Sequence, residues 1–522
     1  MKKLPIGIQT FSDLIEGDYI YVDKTEAIYN LFAGGGRYYF LSRPRRFGKS
    51  LLLSTIKEIF SGSKELFKGL WIYDKIDWEK HPIIHIDFSK IGYNNPEVLE
   101  KELDIKIEEL AAEQGITLYK GKTPVSKFGE LIEKVSEKNR SKVVLLIDEY
   151  DKPIIDFIAE KKIAAANRDI LRQFYTVIKA SDQYLEFAFL TGVSKFSRVS
   201  VFSGLNNLND ITHDEKYSTM LGYTHEELLF YFDTRLAQAL KKRADQSKEK
   251  LVAEIKRWYN GYTWDARHFV YNPFSILNFF DKNRFSNYWF TSATPTFLIK
   301  LVRQRSVNVE KLEHYRAGES FFNAFEVDNI NVASLLFQTG YLTIEKIEES
   351  EELDRIYTLS YPNLEVEKSF LEHLLAEFSS QYPDEIGVLV YDLKKYLYDN
   401  ELDTFFELIK SLFASIPYNI FPADKESYYH SLIYLLLTLV GVNVQCEIQT
   451  HKGRIDAVIE APEYIFIMEF KMDSAEKALE QIRQKRYYEP YFSRKKPIIL
   501  VGVAFDKEKR NISSFKAEQV KP

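Results

Sequence analysis

The sequence predicts an α/β protein of several domains. A helix-covered parallel sheet comes first, a mainly helical middle follows, and a smaller α/β domain ends the chain. Three observations predict this. The chain has 522 residues, too many for one compact core and suited to two to four. The unbroken apolar run Val143–Ile147 and the strand-like Leu185–Leu190 alternate with helix-patterned segments, as strands buried on both faces do. From about residue 420 the order changes to a helix, strands, a helix and a strand.

Residues 1–215 carry the alternation. Tyr38–Leu41 is a short apolar strand, Leu51–Phe60 has apolar positions at helical spacing, and Pro82–Phe88 is a second strand. Strands alternating with helices imply parallel pairing with both faces covered. Residues 216–330 read as a helical region of lid or winged-helix type, with Trp258, Tyr259, Tyr262, Trp264 and Trp289 as packing anchors. Lys241–Lys250 reads as a solvated helix end or loop. Residues 331–419 form a mixed helical connector, with the acidic run Glu348–Asp354 as a surface turn, and residues 420–516 form the last domain. No internal repeat or low-complexity tract appears.

Composition narrows the classes. Hydrophobic residues make up 45% and charged residues 28%, so general disorder is excluded. A single cysteine, Cys446, excludes an intramolecular disulfide and favours an intracellular setting. No apolar run follows Lys2 and Lys3, and Leu432–Val442 is too short to span a bilayer, so a cytoplasmic protein is expected. The net charge of −6 speaks against a nucleic-acid binder when taken whole. Residues 481–522, however, hold 11 Lys and Arg against 4 Asp and Glu, a local net of +7.

The first chemical constellation follows the strand ending at Leu41. Ser42-Arg43-Pro44-Arg45-Arg46-Phe47-Gly48-Lys49-Ser50 ends as a Walker A loop ends. A loop opening a helix offers free N–H groups and positive partial charge to phosphate. Gly48 admits close approach, Lys49 reaches the β and γ phosphates of ATP, and the Ser50 hydroxyl is a ligand for Mg²⁺. Arginine stands at position 43, where the first glycine usually falls, and Arg43, Arg45 and Arg46 are either phosphate contacts or solvated. With Phe47 they make up the candidate nucleotide loop. About 100 residues on, Val143–Ile147 runs into Asp148 and Glu149, a Walker B pattern. Asp148 would hold Mg²⁺ and Glu149 would act as general base. After the next strand, Thr191 and Ser194 are candidate γ-phosphate sensors, and Lys195 and Arg198 candidate charge stabilisers.

The second constellation lies near the C-terminus. His451–Glu460 and Tyr464–Lys471 read as a hairpin. Residues two apart on a strand share a face, so Glu469 and Lys471 project together and Asp456 can lie opposite. Two carboxylates suit Mg²⁺, and a lysine beside them can orient water for phosphodiester hydrolysis. Glu426 on the preceding helix is a further candidate metal ligand, and Glu447 competes with it. Gln481, on the next helix, can bond the site from the side. Arg483–Lys496 interleaves basic and aromatic residues, which suits either a nucleic-acid groove or an amphipathic segment with tyrosines in the core.

These stretches carry a resemblance. The chain resembles bacterial proteins that join an AAA-ATPase-like domain to a C-terminal PD-(D/E)XK nuclease-superfamily domain. Arg43–Ser50, Asp148-Glu149-Tyr150-Asp151-Lys152-Pro153 and Phe202–Leu208 support it. So do Trp258–Tyr262, Tyr271–Pro273, Gln338–Thr343, Tyr361–Val366, Gly453–Asp456 and Glu469–Lys471. The resemblance covers nearly all of the chain. It implies an ASCE-type P-loop ATPase with Glu149 as the catalytic acid, and an arginine at the first Walker position as a family feature. It also implies a restriction-endonuclease-like domain with Asp456, Glu469 and Lys471 as its triad and Gln481 in support. The function expected is an ATP hydrolase coupled to a Mg²⁺-dependent DNA nuclease, acting in defence or on mobile DNA, with homo-oligomers in keeping with the type. The alternative is a nucleotide-dependent switch or binding module whose nuclease-like domain is inactive.

Overall fold

The computed structural model describes residues 1–118, 123–195, 201–202, 205, 207–243, 246–293, 296–305, 307, 309–322, 331–349, 354–416, 426–440, 444–450, 453–472, 474–506 and 508–520. Of 292–293, 296–297, 310, 426–430, 444–450 and 453–455 it describes the backbone alone. The chain folds as two compact units: residues 1–298 with 312–367, and residues 299–311 with 368–522.

The first unit is built on five parallel strands: β1 (Tyr38–Ser42), β2 (Ile83–Asp87), β3 (Val143–Asp148), β4 (Leu185–Gly192) and β5 (Asn209–Asp210). Their order is β2-β3-β4-β1-β5. β3 is buried along its whole length, which is why its sequence is a run of Val, Leu and Ile without alternation. Each such side chain contributes roughly 1.5–3 kcal/mol on burial. Because the strands are parallel, the loops leaving β1, β3 and β4 emerge at one edge, where ligands of open α/β sheets bind. β4 lies between β1 and β3, so its exit at Thr191–Lys195 reaches that edge between the phosphate loop and the acids.

The same unit takes in the middle of the sequence. Helices His225–Tyr231, Asp233–Lys241, Lys248–Tyr259 and Pro273–Lys282 share a core with Ile20 and Val22 from the N-terminal segment. That shared core is why no division falls at residue 215. The anchors expected there are buried: Tyr259, Tyr262, Trp264 and Trp289. Strands β6 (Tyr315–Gly318), β7 (Thr343–Glu349) and β8 (Arg355–Ser360) form an antiparallel sheet of order β6-β8-β7. Most of the acidic run Glu348–Asp354 lies between β7 and β8, and residues 350–353 of it fall outside the described residues.

The second unit carries a mixed sheet of β9 (Val444–Thr450), β10 (Gly453–Glu460), β11 (Ile465–Lys471), β12 (Ile498–Asp506) and β13 (Asn511–Val520), in the order β13-β12-β11-β10-β9. Only β11 and β12 run parallel, as the helix Ala475–Lys485 between them requires. A Cβ at Gly502 on β12 would strike the Ala475 carbonyl and the Leu479 backbone, so glycine there lets the helix lie close on the sheet. Two strands end the chain, where one was expected, and β13 runs to Val520, past residue 516. The apolar stretch from Leu432 is on the helix Glu426–Val440, and Leu432, Leu435 and Leu436 are buried. Among the described residues no helix is long and apolar enough to cross a membrane.

Candidate active sites

The phosphate loop joins β1 to the helix Lys49–Phe60. Gly48 adopts φ 93° at the helix N-cap, a left-handed conformation that favours glycine. The helix start then presents its unpaired N–H groups. Ser50 Oγ donates to Asp148 Oδ2 at 2.6 Å, joining the loop to the end of β3. Lys49 Nζ lies 3.7 Å from Glu149 Oε1 and donates to the carbonyls of Arg43 at 3.1 Å and Pro44 at 3.3 Å. Burial and the adjacent Glu149 push the Asp148 carboxyl up to about 6, against the opposing pull of Ser50 and Lys49. A carboxylate so placed gains from a nearby cation. Glu149 holds φ 53°, an unusual backbone for a non-glycine residue and one that clusters at functional sites.

Lys49, Ser50 and Glu149 line a cavity of about 340 Å³ with Arg45, Arg46 and Gly48, and Asp148 meets it through its bond to Ser50. Other lining residues were given no role by any motif: Ile8 and Gln9, Asp87 and Ser89, Tyr223 and Phe274, and Lys152, which stands in the quoted stretch Asp148–Pro153 without one. Asp87 had a signal to give. It ends β2 in register with Asp148 at the end of β3, on the ligand edge of the sheet.

Several expected nucleotide contacts have other roles here. Arg43 is neither solvated nor in the cavity. It is fully buried, its guanidinium sits 3.8 Å from the Trp264 ring, and it donates to the Thr212 carbonyl at 2.8 Å. Phe47 turns its ring away into contact with Tyr262 and Trp264, leaving only its backbone near the loop. Pro44 packs so closely on Gly340 that a Cβ there would come within 2.7 Å, and Trp289 Nε1 donates to the Arg45 carbonyl at 2.9 Å. An aromatic collar from residues 262–341 thus supports a loop that lacks the usual first glycine. Thr191 and Ser194 do not line the cavity. Thr191 is buried with no hydrogen-bond partner for Oγ1 among the described residues, and Ser194 donates through its amide and hydroxyl to Asp151. Lys195 is paired with Asp210 at 2.6 Å, and Arg198 lies outside the described residues.

The second site forms where β10 and β11 end their pairing. Ala457 opposes Met468 in register, and one step further Asp456 Oδ2 accepts from the Phe470 amide at 2.9 Å. Glu469 is only 2% exposed. Its Oε1 lies 3.4 Å from Lys471 Nζ and accepts from Gln481 Nε2, while Oε2 is buried with no partner among the described residues. Burial first, then Asp456, pushes its carboxyl up to about 7, and Lys471 only partly offsets this. The structure therefore brings Asp456, Glu469, Lys471 and Gln481 together. An orphaned carboxylate oxygen beside a second carboxylate fits a hard divalent cation such as Mg²⁺. Among the described residues no group of three or more His, Cys, Asp or Glu converges on a metal site. The side chains of Glu426 and Glu447 lie outside the described residues.

Sequence reasoning missed Tyr487, which is buried and hydrogen-bonds Gln481 through its hydroxyl. Tyr487 packs into the domain core, with Tyr488, Tyr491 and Phe492 partly buried against it. The aromatic residues of the basic stretch are thus core residues, and Arg483 and Arg486 pair with Glu518 and Glu489.

Comparison with known proteins finds a family match in each half of the chain. Residues 5–202 match the family described as predicted AAA-ATPase, and residues 424–515 match the PD-(D/E)XK nuclease superfamily. A protein of Azotobacter chroococcum mcd 1, described as an uncharacterized protein in the vnfD 5′ region, is 40% identical over 99% of both chains. Among solved structures, the Aeropyrum pernix ORC1 protein in complex with DNA is 11% identical, covering 69% of this chain and 96% of its own, with a TM-score of 0.26. The Aeropyrum pernix ORC2 protein is 10% identical over 68% and 95%, with a TM-score of 0.30. Scores this low fix no correspondence between the folds.

Proposed function

The chain belongs to the family that joins a predicted AAA-ATPase domain to a PD-(D/E)XK nuclease-superfamily domain, and from that premise we propose an ATP hydrolase coupled to a Mg²⁺-dependent DNA endonuclease acting on foreign or mobile DNA. The observation that supports it is that each site keeps an acid pair with a lysine in reach: Asp148 and Glu149 with Lys49, Asp456 and Glu469 with Lys471.

In the first site the Lys49 ammonium and the free N–H groups at the helix start bind the phosphates, and Glu149 takes a proton from the attacking water. Ser50 and Asp148 would hold Mg²⁺ there, and Asp456 and Glu469 in the second site. When bound, the ion lowers the pKa of a coordinated water and offsets phosphate charge. In the second site Lys471 orients the water and balances charge on the phosphodiester, while Gln481 fixes the Glu469 carboxylate. Some of the positive charge within 481–522 can face the DNA backbone, since Lys485 and Lys495 are exposed.

The test is Mg²⁺-dependent cleavage of duplex and single-stranded DNA, with and without ATP, by wild type, Lys49→Ala and Lys471→Ala. Lys471→Ala should abolish cleavage and keep ATP hydrolysis. Lys49→Ala should abolish ATP hydrolysis and remove any effect of ATP on cleavage. Absence of cleavage by wild type under every condition would overturn the nuclease reading.

A further inference from the structure

We propose that Lys152 is a catalytic residue of the ATPase reaction, supplying from the same chain the positive charge that offsets the transferring phosphoryl group. This rests on the ATPase reading above and adds a residue outside both the phosphate loop and the acid pair.

Among the described residues lining the nucleotide cavity, the cations are Arg45, Arg46, Lys49 and Lys152. Three of them belong to the loop. Lys152 alone comes from the segment that carries the general base. Glu149 adopts φ 53° and its carbonyl accepts from the Lys152 amide at 3.0 Å, so one tight turn places both side chains on the cavity wall.

The other cations reach the cavity from the phosphate loop or are bound away from it. Lys49 is held by the carbonyls of Arg43 and Pro44, and Arg46 lies 5.1 Å from the Phe274 ring. Lys195, expected as a stabiliser, is bound to Asp210. Lys152 is held in readiness. Its Nζ donates to Asp156 Oδ2 at 2.7 Å and lies 5.8 Å from the Tyr93 ring, and the Tyr93 hydroxyl donates to the same oxygen at 2.8 Å. Arg45 takes the other Asp156 oxygen at 3.2 Å. Asp156 is thus a single counter-ion shared by two cavity cations. A triphosphate in the cavity competes with it for both, in a setting where the Lys152 side chain is 25% exposed and its charge only partly screened.

In the reaction the water oxygen bonds to the γ-phosphorus and the bond from that phosphorus to the β-bridging oxygen breaks. The electron pair stays on ADP and one proton of the water passes to Glu149. The Lys152 ammonium transfers no proton. It leaves Asp156 for the γ-phosphate oxygens as their charge spreads.

The experiment measures phosphate release and binding of a fluorescent ATP analogue by the full chain. Wild type is compared with Lys152→Ala, Lys152→Arg, and a mixture of Lys152→Ala with Lys49→Ala. Lys152→Ala should lower turnover about a hundredfold while nucleotide affinity stays within about threefold. Lys152→Arg should restore most of the rate, and the mixture none of it. Turnover by Lys152→Ala close to wild type overturns the proposal, as does recovery on mixing, which would place the charge on a neighbouring chain. Loss of affinity together with rate, not restored by arginine, also overturns it by showing a structural role. A wild type that neither binds nor hydrolyses ATP fails earlier, at the ATPase reading itself.

Discussion

The two sites hold their carboxylates differently. In the nucleotide site the chain itself satisfies the acids: Asp148 accepts from the Ser50 hydroxyl and the Glu149 amide, and Glu149 faces Lys49. In the nuclease site Glu469 shares one oxygen between Lys471 and Gln481 and leaves the other buried without a partner among the described residues. Burying an unpaired polar atom costs about 1–3 kcal/mol. The first site therefore has a partner within the chain for each of its acids. The second is incomplete without a cation.

The largest expected effect tests this contrast by isosteric change. Glu149→Gln should cut ATP hydrolysis by about 10²–10⁴-fold with nucleotide binding retained, read by phosphate release. Glu469→Gln should cut DNA cleavage by about 10³-fold or more, read by gel, and leave folding intact because the amide removes a carboxylate that is costly to ionise. Equal loss of folding in both variants would break the comparison. A smaller effect concerns metal. Without nucleotide, saturating Mg²⁺ should raise wild-type stability by about 1–3 kcal/mol, and Asp456→Asn should lose that gain, both read by thermal unfolding. A gain that survives Asp456→Asn would place the ion elsewhere.

A third acid sharpens the contrast from within the first unit. Glu365 is fully buried, accepts from Ser275 Oγ and the Trp289 amide at 2.7 Å each, and burial pushes its carboxyl up to about 8 from 4.5. An acid whose pKa is raised on folding binds more protons folded than unfolded between those values. Stability therefore falls as pH rises from about 4.5 to about 8 and levels off above. Glu365→Gln keeps the shape and removes the titration. Its unfolding midpoint should depend less on pH across that window and exceed wild type by an amount on the order of 1–3 kcal/mol at pH 8. Identical pH profiles would show that folding does not raise the pKa of this acid.

Much of both sites was legible because their chemistry is local. Gly48-Lys49-Ser50, Asp148-Glu149 and Glu469-Phe470-Lys471 each lie within a few residues, and strand periodicity alone aligns Glu469 with Lys471. What was hidden depends on packing between distant segments. Arg43 read as either a phosphate contact or a solvated charge, the two ordinary places for an arginine in a basic loop, and nothing nearby in sequence announces Trp264 beneath it. The tyrosines of 487–491 suited either a groove or a core, because their inward turn follows the left-handed residue Arg486 that ends the preceding helix. The expected division near residue 215 gave no sign of Ile20 and Val22, which join the N-terminal segment to helices two hundred residues away.

The smallest effect tests that long-range support. Trp289 Nε1 donates to the Arg45 carbonyl at 2.9 Å, and its ring packs on Tyr341 at 5.3 Å. Trp289→Phe keeps an aromatic ring there and removes the donor. The Arg45 carbonyl then loses its bond, at a net cost of about 0.5–1.5 kcal/mol. If the collar fixes the loop for phosphate, the loss should appear as nucleotide affinity weakened by about threefold to tenfold, with turnover at saturation little changed. The nuclease domain supplies an internal control, since DNA cleavage without ATP should not respond. A fall in saturated turnover with affinity intact would show instead that Trp289 steadies the reaction rather than the loop, and would join the collar to the machinery of Glu149 and Lys152.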